Sequence, residues 1–537
     1  MKRLLFVLIL LLGAGLAWSQ AQPDPLTEEE QQQGFDVYFD LCSGCHGPTR
    51  LGATGPELTP EALELKGPAY IQAILFGGLP GGMPDWGRQG LLTDGEMELM
   101  ARYLLEPVPE PPLLAFDEIY DSWNLFTPTD ERPTEPLTDR DWENYFGVIL
   151  RDAGQVAIID GDTKELVTLL DTGYAIHILR SSKDGRYYQA VGRDGKASLI
   201  DLWTEVPEVV AEVRPCLDAR SIESSKMEGY VNDYVIEGCY WPPQFVIMDG
   251  LTLEPLKVVS TVTYEKGVGE RVDAARVAAI VASESNPEWI VNIKEAGQTW
   301  LVDYSRFDSE GRPLSITMFD TELYLHDGGW AHGRYFVVAA NNEDKLVVID
   351  THEREIAAVV DVGVLPHPGR GANWTDPDFG PVWGTGHMGS TVLSVMGSDP
   401  EGNPDHAWQV VHELETPHTG NLFIKVHENS PWLIADYPMS IHPDGPSTLC
   451  AWRKEDLEER VCWEVPGAKE QQARMVHIEF NRDGSEFWVS AWAAMDKDSF
   501  IAIYDAVTLE EVGRIEGEWL ITPTGKFNAH NTAHDVY

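Results

Sequence analysis

Two different hydrophobic periods occur along this chain, and the change of period divides it into three parts. Residues 22–106 follow a helical pattern, with Thr27 and Thr93 placed as caps at the start of two helices. Residues 107–140 are rich in proline and predict an extended linker that lies over the surface. Residues 141–537 contain short alternating runs, which predict β-strands.

The strand region contains an internal repeat, and the repeat predicts its fold. Eight segments combine an alternating apolar strand with a polar stop and a turn, at intervals of roughly 41 to 58 residues. Units of this length arranged radially form four-stranded blades, so the sequence predicts a small all-α domain followed by an all-β eight-bladed propeller. The segments are Gln155–Gly161, Ala197–Trp203, Gln244–Gly250, Thr299–Ser305, Lys345–Thr351, Thr391–Gly397, Thr448–Arg453 and Phe500–Ala506.

A Cys-x-x-Cys-His motif lies in the helical part, formed by Cys42, Cys45 and His46. This spacing is typical of a covalently attached c-type haem, in which two thioethers hold the porphyrin and the imidazole ligates the iron. Met83 offers a thioether as the second axial ligand, although it could instead pack in an ordinary loop. The motif could also bind zinc or act in redox exchange, but zinc requires a second ligand pair. We therefore expect a protein that transfers electrons.

The N-terminus has the pattern of a secretion signal. Lys2 and Arg3 precede an apolar run, and small residues suitable for cleavage follow, which predicts a signal peptide over residues 1–21. The run is too short for a confident membrane span, and no later segment is long and apolar enough to cross a bilayer. Because c-type haem is attached outside the cytoplasm, we expect a periplasmic protein without a membrane span.

The composition of the chain limits the kinds of partner that it can bind. The 537 residues contain 87 acidic and 39 basic side chains, a formal net charge of −48, and removal of Lys2 and Arg3 with the signal would take it to −50. This charge excludes nucleic acid as a partner, and it can favour solubility in salt or attract basic electron donors.

Four cysteines remain outside the haem motif. Cys216 with Cys239 and Cys450 with Cys462 could form disulfides in an oxidising compartment, or all four could be buried thiols.

Long strings of this sequence resemble the cytochrome cd1 nitrite reductases, and the resemblance covers nearly the whole chain after the signal. It implies a haem c domain joined to an eight-bladed propeller that holds haem d1, and the reduction of nitrite to nitric oxide in denitrification. It also implies a homodimer supplied with electrons by a small cytochrome c or a cupredoxin. The strings are Arg151–Asp162, Asp171–Leu179, Arg193–Ala197, Ala219–Tyr230, Tyr240–Leu251, Leu325–Trp330, Pro366–Trp374 and Thr522–Ala529.

The resemblance also implies roles for single residues. His177 would be the proximal ligand of the haem d1 iron, and His326 and His367 would face nitrite and donate protons to it, since histidine titrates near neutral pH. Haem d1 carries several carboxylates, which need cationic or hydrogen-bonding partners when buried. The expected residues around haem d1 are Arg151, Arg180, Arg193, Tyr240, Arg370, His477 and Gly525.

Each of these residues also has an ordinary structural interpretation. A single histidine is more often a structural residue than a ligand, and His332, His387 and His418 are interpreted in that way. An arginine can equally form a surface ion pair, which contributes little stability.

Two departures from the family pattern keep other functions open. Family members often place an N-terminal tyrosine in the haem d1 pocket, whereas here the tyrosine between the signal and Cys42 is Tyr38, a predicted helix residue. His477 stands where the family commonly has glutamine. One alternative is a paralogue of the same architecture that acts in haem d1 maturation. Another is a propeller that binds haem d1 for electron transfer or sensing without turnover.

Overall fold

The computed structural model describes residues 25–52, 55–79, 83–88, 90–108, 110–308 and 313–537. The predicted signal peptide, residues 1–21, lies outside these residues. The helices are, in chain order, α1 Glu28–Val37, α2 Ser43–His46, α3 Pro60–Leu63, α4 Gly67–Gly77, α5 Asp94–Tyr103, α6 Phe116–Asp121 and α7 Ala529–Ala533.

The small helical domain is organised around the crossing of α1 and α5. Both predicted caps are confirmed, because Thr27 and Thr93 each accept a hydrogen bond from the backbone three residues later and complete a capping box. Gly34 of α1 lies against the ring of Tyr103 in α5, where an added Cβ would come within 2.7 Å. Tyr38 follows α1 in a π-helical turn, is buried, and donates a hydrogen bond to Gly47 O. It is therefore a core residue of this domain.

The β-strands lie from residue 124 onward. In chain order these are β1 Asn124–Leu125, β2 Tyr145–Leu150, β3 Gln155–Asp160, β4 Leu166–Asp171, β5 Ile178–Ser181, β6 Tyr187–Val191, β7 Ala197–Asp201, β8 Glu208–Val213, β9 Asp218–Ser224, β10 Tyr234–Trp241, β11 Gln244–Asp249, β12 Pro255–Ser260, β13 Thr263–Tyr264, β14 Arg271–Val272, β15 Val277–Ala282, β16 Glu288–Ile293, β17 Gln298–Asp303, β18 Ser315–Asp320, β19 Leu325–Ala331, β20 Tyr335–Ala340, β21 Lys345–Asp350, β22 Glu355–Asp361, β23 Pro366–Asp376, β24 Gly380–His387, β25 Val392–Gly397, β26 Val410–Glu415, β27 Ile424–Lys425, β28 Trp432–Asp436, β29 Thr448–Arg453, β30 Asp456–Glu464, β31 Arg474–Phe480, β32 Glu486–Trp492, β33 Phe500–Asp505, β34 Glu511–Glu516 and β35 Pro523–Asn528.

The strands build an eight-bladed propeller, which confirms the predicted fold class. Seven blades are antiparallel sheets of four consecutive strands, β5–β8, β9–β12, β15–β18, β19–β22, β23–β26, β27–β30 and β31–β34. The eighth joins the two ends of the propeller, because the C-terminal strand β35 pairs with β2 in the order β35-β2-β3-β4. Each of the eight repeated segments predicted from the sequence is the third strand of its blade.

The first strand of each blade lies innermost, since these strands contact one another around the centre. They surround a central channel, and each begins at the end of the channel nearer the helical domain. The other end is closed by α7 and the residues after it. There Asn531 donates to Phe480 O over 2.9 Å, and Asp535 lies 3.5 Å from the ammonium of Lys226.

The segment predicted as an extended linker is partly regular. It contains α6, whose Ile119 is buried in a propeller core, and β1, which pairs with β8 at the outer edge of a blade. Trp241 also donates its indole N–H to Pro112 O over 2.6 Å. The linker is therefore attached to the propeller along its length.

Both possible disulfides form in the structure. Cys216 pairs with Cys239, and Cys450 pairs with Cys462 across β29 and β30. Within the described residues no helix combines the length and the hydropathy that a bilayer span needs.

Candidate functional site

The Cys-x-x-Cys-His motif occupies the turn from the π-helical segment into α2. Cys42 and Cys45 are free thiols, the first buried and the second exposed. His46 is 8% exposed, and its Nδ1 lies 2.7 Å from Pro56 O, to which it can donate its hydrogen. This hydrogen bond leaves Nε2 as the ring nitrogen with a free lone pair, the arrangement that metal-ligating histidines usually show.

Met83 packs partly buried against the hydrophobic core of the same domain. Its backbone carbonyl accepts a hydrogen bond from Leu79 N over 3.1 Å. The neighbouring Gly81 and Gly82 lie outside the described residues. The structure therefore places Met83 in the domain that carries His46.

The expected haem d1 residues lie mainly on the innermost strands, and several of these strands bulge where they lie. Pairing shifts register between Leu325 and Gly328 in β19, between His367 and Ala372 in β23, and on either side of His477 in β31. A bulge bends its strand and redirects a side chain, and bulges are frequent near active sites. Three stretches of channel wall thus depart from regular pairing, and those of β19 and β23 lie in contact with each other.

His326 and His367 lie next to each other at the channel wall, with ring centroids 4.9 Å apart. Asp327 lies between them, its carboxylate 3.2 Å from Nδ1 of His326 and 3.5 Å from Nε2 of His367. Burial lowers the pKa of His326, and the Asp327 charge acts in the opposite direction. Burial would raise the pKa of Asp327, but the two histidines hold it well below its usual range, so its carboxylate stays ionised.

His177 directly precedes β5, and its backbone N–H donates to Val191 O over 2.9 Å. Its side chain is exposed, yet desolvation by the surrounding protein lowers its pKa well below the ordinary value, with Arg220 adding to the effect. The side chain therefore faces a cavity inside the molecule. A neutral imidazole is the form that can bind iron.

Two of the expected arginines converge on one buried carboxylate. Arg370 Nη2 lies 3.2 Å from Glu223, Arg180 Nε lies 3.7 Å from the same carboxylate, and both side chains are under one-tenth exposed. Lys226, which is fully buried, lies 3.7 Å from Glu223 and 3.5 Å from Asp535. Three cations therefore share two carboxylates in this part of the channel wall, and Asp327 also acts on Arg370.

The helical domain meets the propeller at a second group of arginines. Gly44, in the middle of the haem motif, accepts a hydrogen bond at its carbonyl from Arg276 Nη1 over 2.9 Å. A Cβ on Gly44 would lie 2.5 Å from guanidinium nitrogens of both Arg193 and Arg220. The Tyr240 ring lies 4.7 Å from the guanidinium carbons of both Arg220 and Arg276. The motif is thus seated directly on the cationic rim of the channel.

His477 lies on the opposite side of Phe423 from His367. Its ring packs between Phe423 and Phe527, with centroids 4.7 and 5.0 Å away. Nδ1 of His477 accepts a hydrogen bond from Lys526 N over 3.3 Å. Burial lowers the pKa of His477 well below its usual range, and Lys526 adds to this, so the ring is neutral.

The remaining expected residues lie at the edges of the site. Arg151 forms an ion pair of 2.8 Å with Asp152 and donates its backbone N–H to Thr522 O. Gly525 in β35 lies where an added Cβ would come within 2.8 Å of the Phe527 ring. His387, interpreted from the sequence as structural, is buried and hydrogen-bonded to Val392 O.

Several charged residues that contact the expected site were not identified from the sequence. For all of them except Arg276 the signal was present, because each lies inside one of the strings that carry the family resemblance. What the sequence lacked was their contacts, which join different blades. They are Arg220, Glu223, Lys226, Arg276, Asp327 and Lys526.

These residues fit an anionic macrocycle with a ligated iron. Arg180, Arg193 and Arg370 each have a buried Nε without a hydrogen-bond partner among the residues that the structure describes. Guanidinium N–H groups that lack a hydrogen-bond acceptor suit cofactor carboxylates. His177 offers a neutral imidazole to the same cavity, and the free thiols beside His46 suit covalent haem attachment.

Comparison with known proteins finds relatives for both domains. Residues 140–532 match the family model of the cytochrome D1 heme domain, and residues 29–104 match that of cytochrome c oxidase, cbb3-type, subunit III. A nitrite reductase from Stutzerimonas stutzeri is 42% identical to the chain over 548 residues, which cover 97% of each protein. A dihydro-heme d1 dehydrogenase from Pseudomonas aeruginosa is 27% identical over 510 residues, covering 94% of this chain and 95% of that protein.

A solved structure of dihydro-heme d1 dehydrogenase NirN in complex with DHE is similar in fold. It has a TM-score of 0.70 and 27% sequence identity, and it covers 93% of this chain and 100% of that one. Together with the full-length similarity, this confirms the resemblance seen in the sequence. The chain belongs to the cytochrome cd1 family, in which a cytochrome c domain with haem c precedes a propeller with haem d1.

Proposed function

We propose that this protein is a nitrite reductase that forms nitric oxide in denitrification. Nitrite takes up one electron and two protons and yields nitric oxide and water, so the site must hold an anion and supply protons. The observation that carries this proposal is the pair of imidazoles from His326 and His367, 4.9 Å apart beside an ionised Asp327 in a cavity that arginines also line. The 42% identity to a nitrite reductase over 97% of the chain supports it.

The cofactors would be held by residues of both domains. Cys42 and Cys45 would form the thioethers of haem c, with His46 and Met83 as the axial ligands. His177 would ligate the iron of haem d1, and the arginines and other residues predicted around it would bind its carboxylates. Haem c and haem d1, when bound, supply the relay of one electron and the iron at which nitrite is reduced. The residues around haem d1 would be Arg151, Arg180, Arg193, Tyr240, Arg370, His477 and Gly525.

The chain's own part in the reaction is to bind the anion and to move protons. His326 and His367 would donate N–H hydrogen bonds to nitrite oxygens and then give protons to the oxygen that leaves as water. General acids of this kind typically contribute about 10²–10⁴-fold to a rate. The arginines of the channel wall favour entry of an anion and disfavour its loss before reduction.

Electrons would enter through the helical domain. The contact of Gly44 with Arg193, Arg220 and Arg276 supports this route, because it seats the haem c motif on the rim of the channel. The strongly negative charge favours a donor with a basic docking face, either a small cytochrome c or a cupredoxin. We propose that the protein works in the periplasm as a homodimer, as the family resemblance implies.

The alternative function is that of a haem d1 maturation enzyme with the same architecture. The similarity to dihydro-heme d1 dehydrogenase supports it more weakly, at 27% identity compared with 42% for nitrite reductase. His477 is the residue that favours this alternative, because glutamine is expected at its position in the reductases.

The decisive experiment follows nitric oxide directly. The full-length protein carrying both haems is reduced without oxygen, mixed with nitrite and excess donor, and monitored with a nitric oxide electrode. Production over many turnovers is expected, and protein carrying haem c alone serves as the control. Failure to turn over nitrite with haem d1 bound and reducible would contradict the proposal, and a haem d1 precursor would then be tested as the substrate.

The assignment of Met83 has its own test. Met83→Ala is expected to change the haem c spectrum and lower its reduction potential, because a thioether opposite histidine raises that potential. Met100→Ala, a buried methionine of the same domain core, is the matched control and should leave the axial ligation intact. An unchanged spectrum and potential in Met83→Ala would show that another residue is the ligand.

A further inference from the structure

Asp327 is the residue through which the two imidazoles of the site are connected. It follows His326 on β19, and its two carboxylate oxygens face different rings, Oδ1 at 3.2 Å from His326 and Oδ2 at 3.5 Å from His367. One atom from each of the three side chains lies within 4.8 Å of the others. A single carboxylate therefore contacts histidines from two strands of different blades.

His367 is held on one side by a backbone acceptor. Its Nδ1 lies 2.9 Å from Leu422 O, and its Nε2 lies 3.5 Å from Asp327, at ion-pair distance. Because a carbonyl can only accept, Nδ1 carries the hydrogen of that bond, and the Nε2 edge faces Asp327.

The acceptor on the Leu422 side is itself held in place. The backbone N–H groups of Leu422 and Phe423 donate to Asp436 over 3.1 and 2.9 Å, and the backbone N–H of His477 donates to the other oxygen over 2.8 Å. His367 is therefore positioned from both sides by elements that pack against it.

The other charged groups that face the pair do not favour protonation. Lys294 directly follows β16, is 3% exposed, and lowers the pKa of His326, as His367 does. Arg370 lies on the strand of His367, and its charge and that of His177, which precedes β5, both act on Asp327. Asp327 is therefore the negatively charged group facing the pair, and the other groups named here are cations or neutral rings.

We propose that Asp327 is a positioning residue that holds the imidazoles of His326 and His367 together and places a negative charge beside both rings, which favours proton delivery by the pair. The inference deepens the proposed function and rests on it for the role of the protons. It assigns no contact between Asp327 and nitrite. Its effect is exerted through the two histidines, so it predicts a change in pH dependence as well as a loss of rate.

The first measurement does not depend on turnover. Histidine resonances of the full-length protein with haem c, before haem d1 is added, are followed by NMR from pH 5 to 9. The signals are assigned by their loss in His326→Gln and His367→Gln. In Asp327→Asn the pair is expected to deprotonate about one pH unit lower or more, because an opposite charge at this distance typically shifts titration by 1–3 units. Unchanged titration midpoints would overturn the proposal.

The second measurement is the pH profile of nitrite reduction by the loaded enzyme. Asp327→Asn is expected to move the alkaline limb about one pH unit lower, which reduces turnover about tenfold on that limb, and Asp327→Glu should restore part of it. A rate loss without movement of the limb, or no rescue by glutamate, would mean that Asp327 only fills space.

A matched control comes from a surface pair of the same type. His352 and Glu353 lie 3.5 Å apart and are mostly exposed, so Glu353→Gln removes a histidine partner outside the channel and should leave the pH profile unchanged. If the Asp327→Asn variant fails to bind haem d1, the NMR titration still tests the proposal, because it is made before haem d1 is added. Absence of nitrite turnover in the wild type would reject the proposed function and leave that titration as an independent result.

Discussion

Two walls of the channel carry histidine in opposite surroundings. The His326–His367 wall includes the carboxylate of Asp327, which lies 3.2 Å from one ring and 3.5 Å from the other. The His477 wall places the same ring between Phe423 and Phe527, and a backbone N–H donates to it. The first arrangement places a negative charge beside its imidazoles, and the second favours a neutral imidazole.

The difference shows that residue type does not decide the protonation state of a channel histidine. Burial lowers the pKa of His326 and of His477 alike, and the nearest charges then act in opposite directions. At His326 the charge is a carboxylate, whereas at His477 the charges are Lys526 and Lys425. We therefore expect the two walls to respond differently to substitution and to pH.

Removal of an imidazole from the first wall is expected to have the largest effect. His326→Ala and His367→Ala should each reduce nitrite turnover by about 10²–10⁴-fold, because each would remove a general acid. Nitric oxide production is measured at equal haem d1 content. His352→Ala, at a residue whose side chain is 72% exposed, is the control and should leave turnover unchanged. Full turnover in both channel variants would refute the assignment of proton donors.

Asp436 joins the two walls, and its removal should disturb both. Its carboxylate accepts from the backbone of Leu422, Phe423 and His477, so Asp436→Ala leaves three buried N–H groups without their acceptor. We expect the free energy of unfolding to fall by about 3 kcal/mol, given 1–3 kcal/mol for each unsatisfied group and incomplete additivity.

The measurement is denaturant unfolding of the full-length protein. Asp505 provides a control, since it accepts from two backbone N–H groups in an exposed turn where water can replace it. Asp505→Ala should cost less than half as much. An equal cost for both variants would mean that Asp436 does not organise the channel.

His477→Gln should change the pH dependence of stability. Because its pKa is lowered in the folded protein, His477 stays neutral there while the unfolded chain takes up a proton below about pH 6.5. Stability is thus present above that pH and is lost as pH falls, by up to about 2 kcal/mol between pH 7 and 5. The glutamine variant should lack this loss, which unfolding at both pH values would detect; an equal loss in both proteins would contradict it.

The same variant is expected to have the smallest effect on catalysis. Glutamine can accept the hydrogen bond from Lys526 N, and a neutral His477 supplies no proton in the assay range. Turnover should stay within about twofold of wild type, and the pH profile of nitrite reduction should not move. A shifted profile would place His477 among the proton donors and would weaken the contrast between the walls.

Much of the fold could be predicted because its signals are local. Thr27 and Thr93 cap their helices through contacts three residues away. The repeated strands are visible in the sequence because each is the third strand of its blade, which is buried on both faces. The linker was harder to predict, because α6 and β1 are stabilised by contacts with distant strands. Whether the four cysteines form disulfides could not be predicted for the same reason.

The sequence by itself determined the haem c motif, the eight-fold repeat and the family strings, and with them the histidines and arginines of the site. Only the tertiary structure decided which of them meet. Asp327 lies between histidines of two blades, Glu223 between Arg180 and Arg370, and Gly44 against arginines of the other domain. Strand register, bulges and blade closure set these contacts, and they depend on packing between residues far apart in the chain.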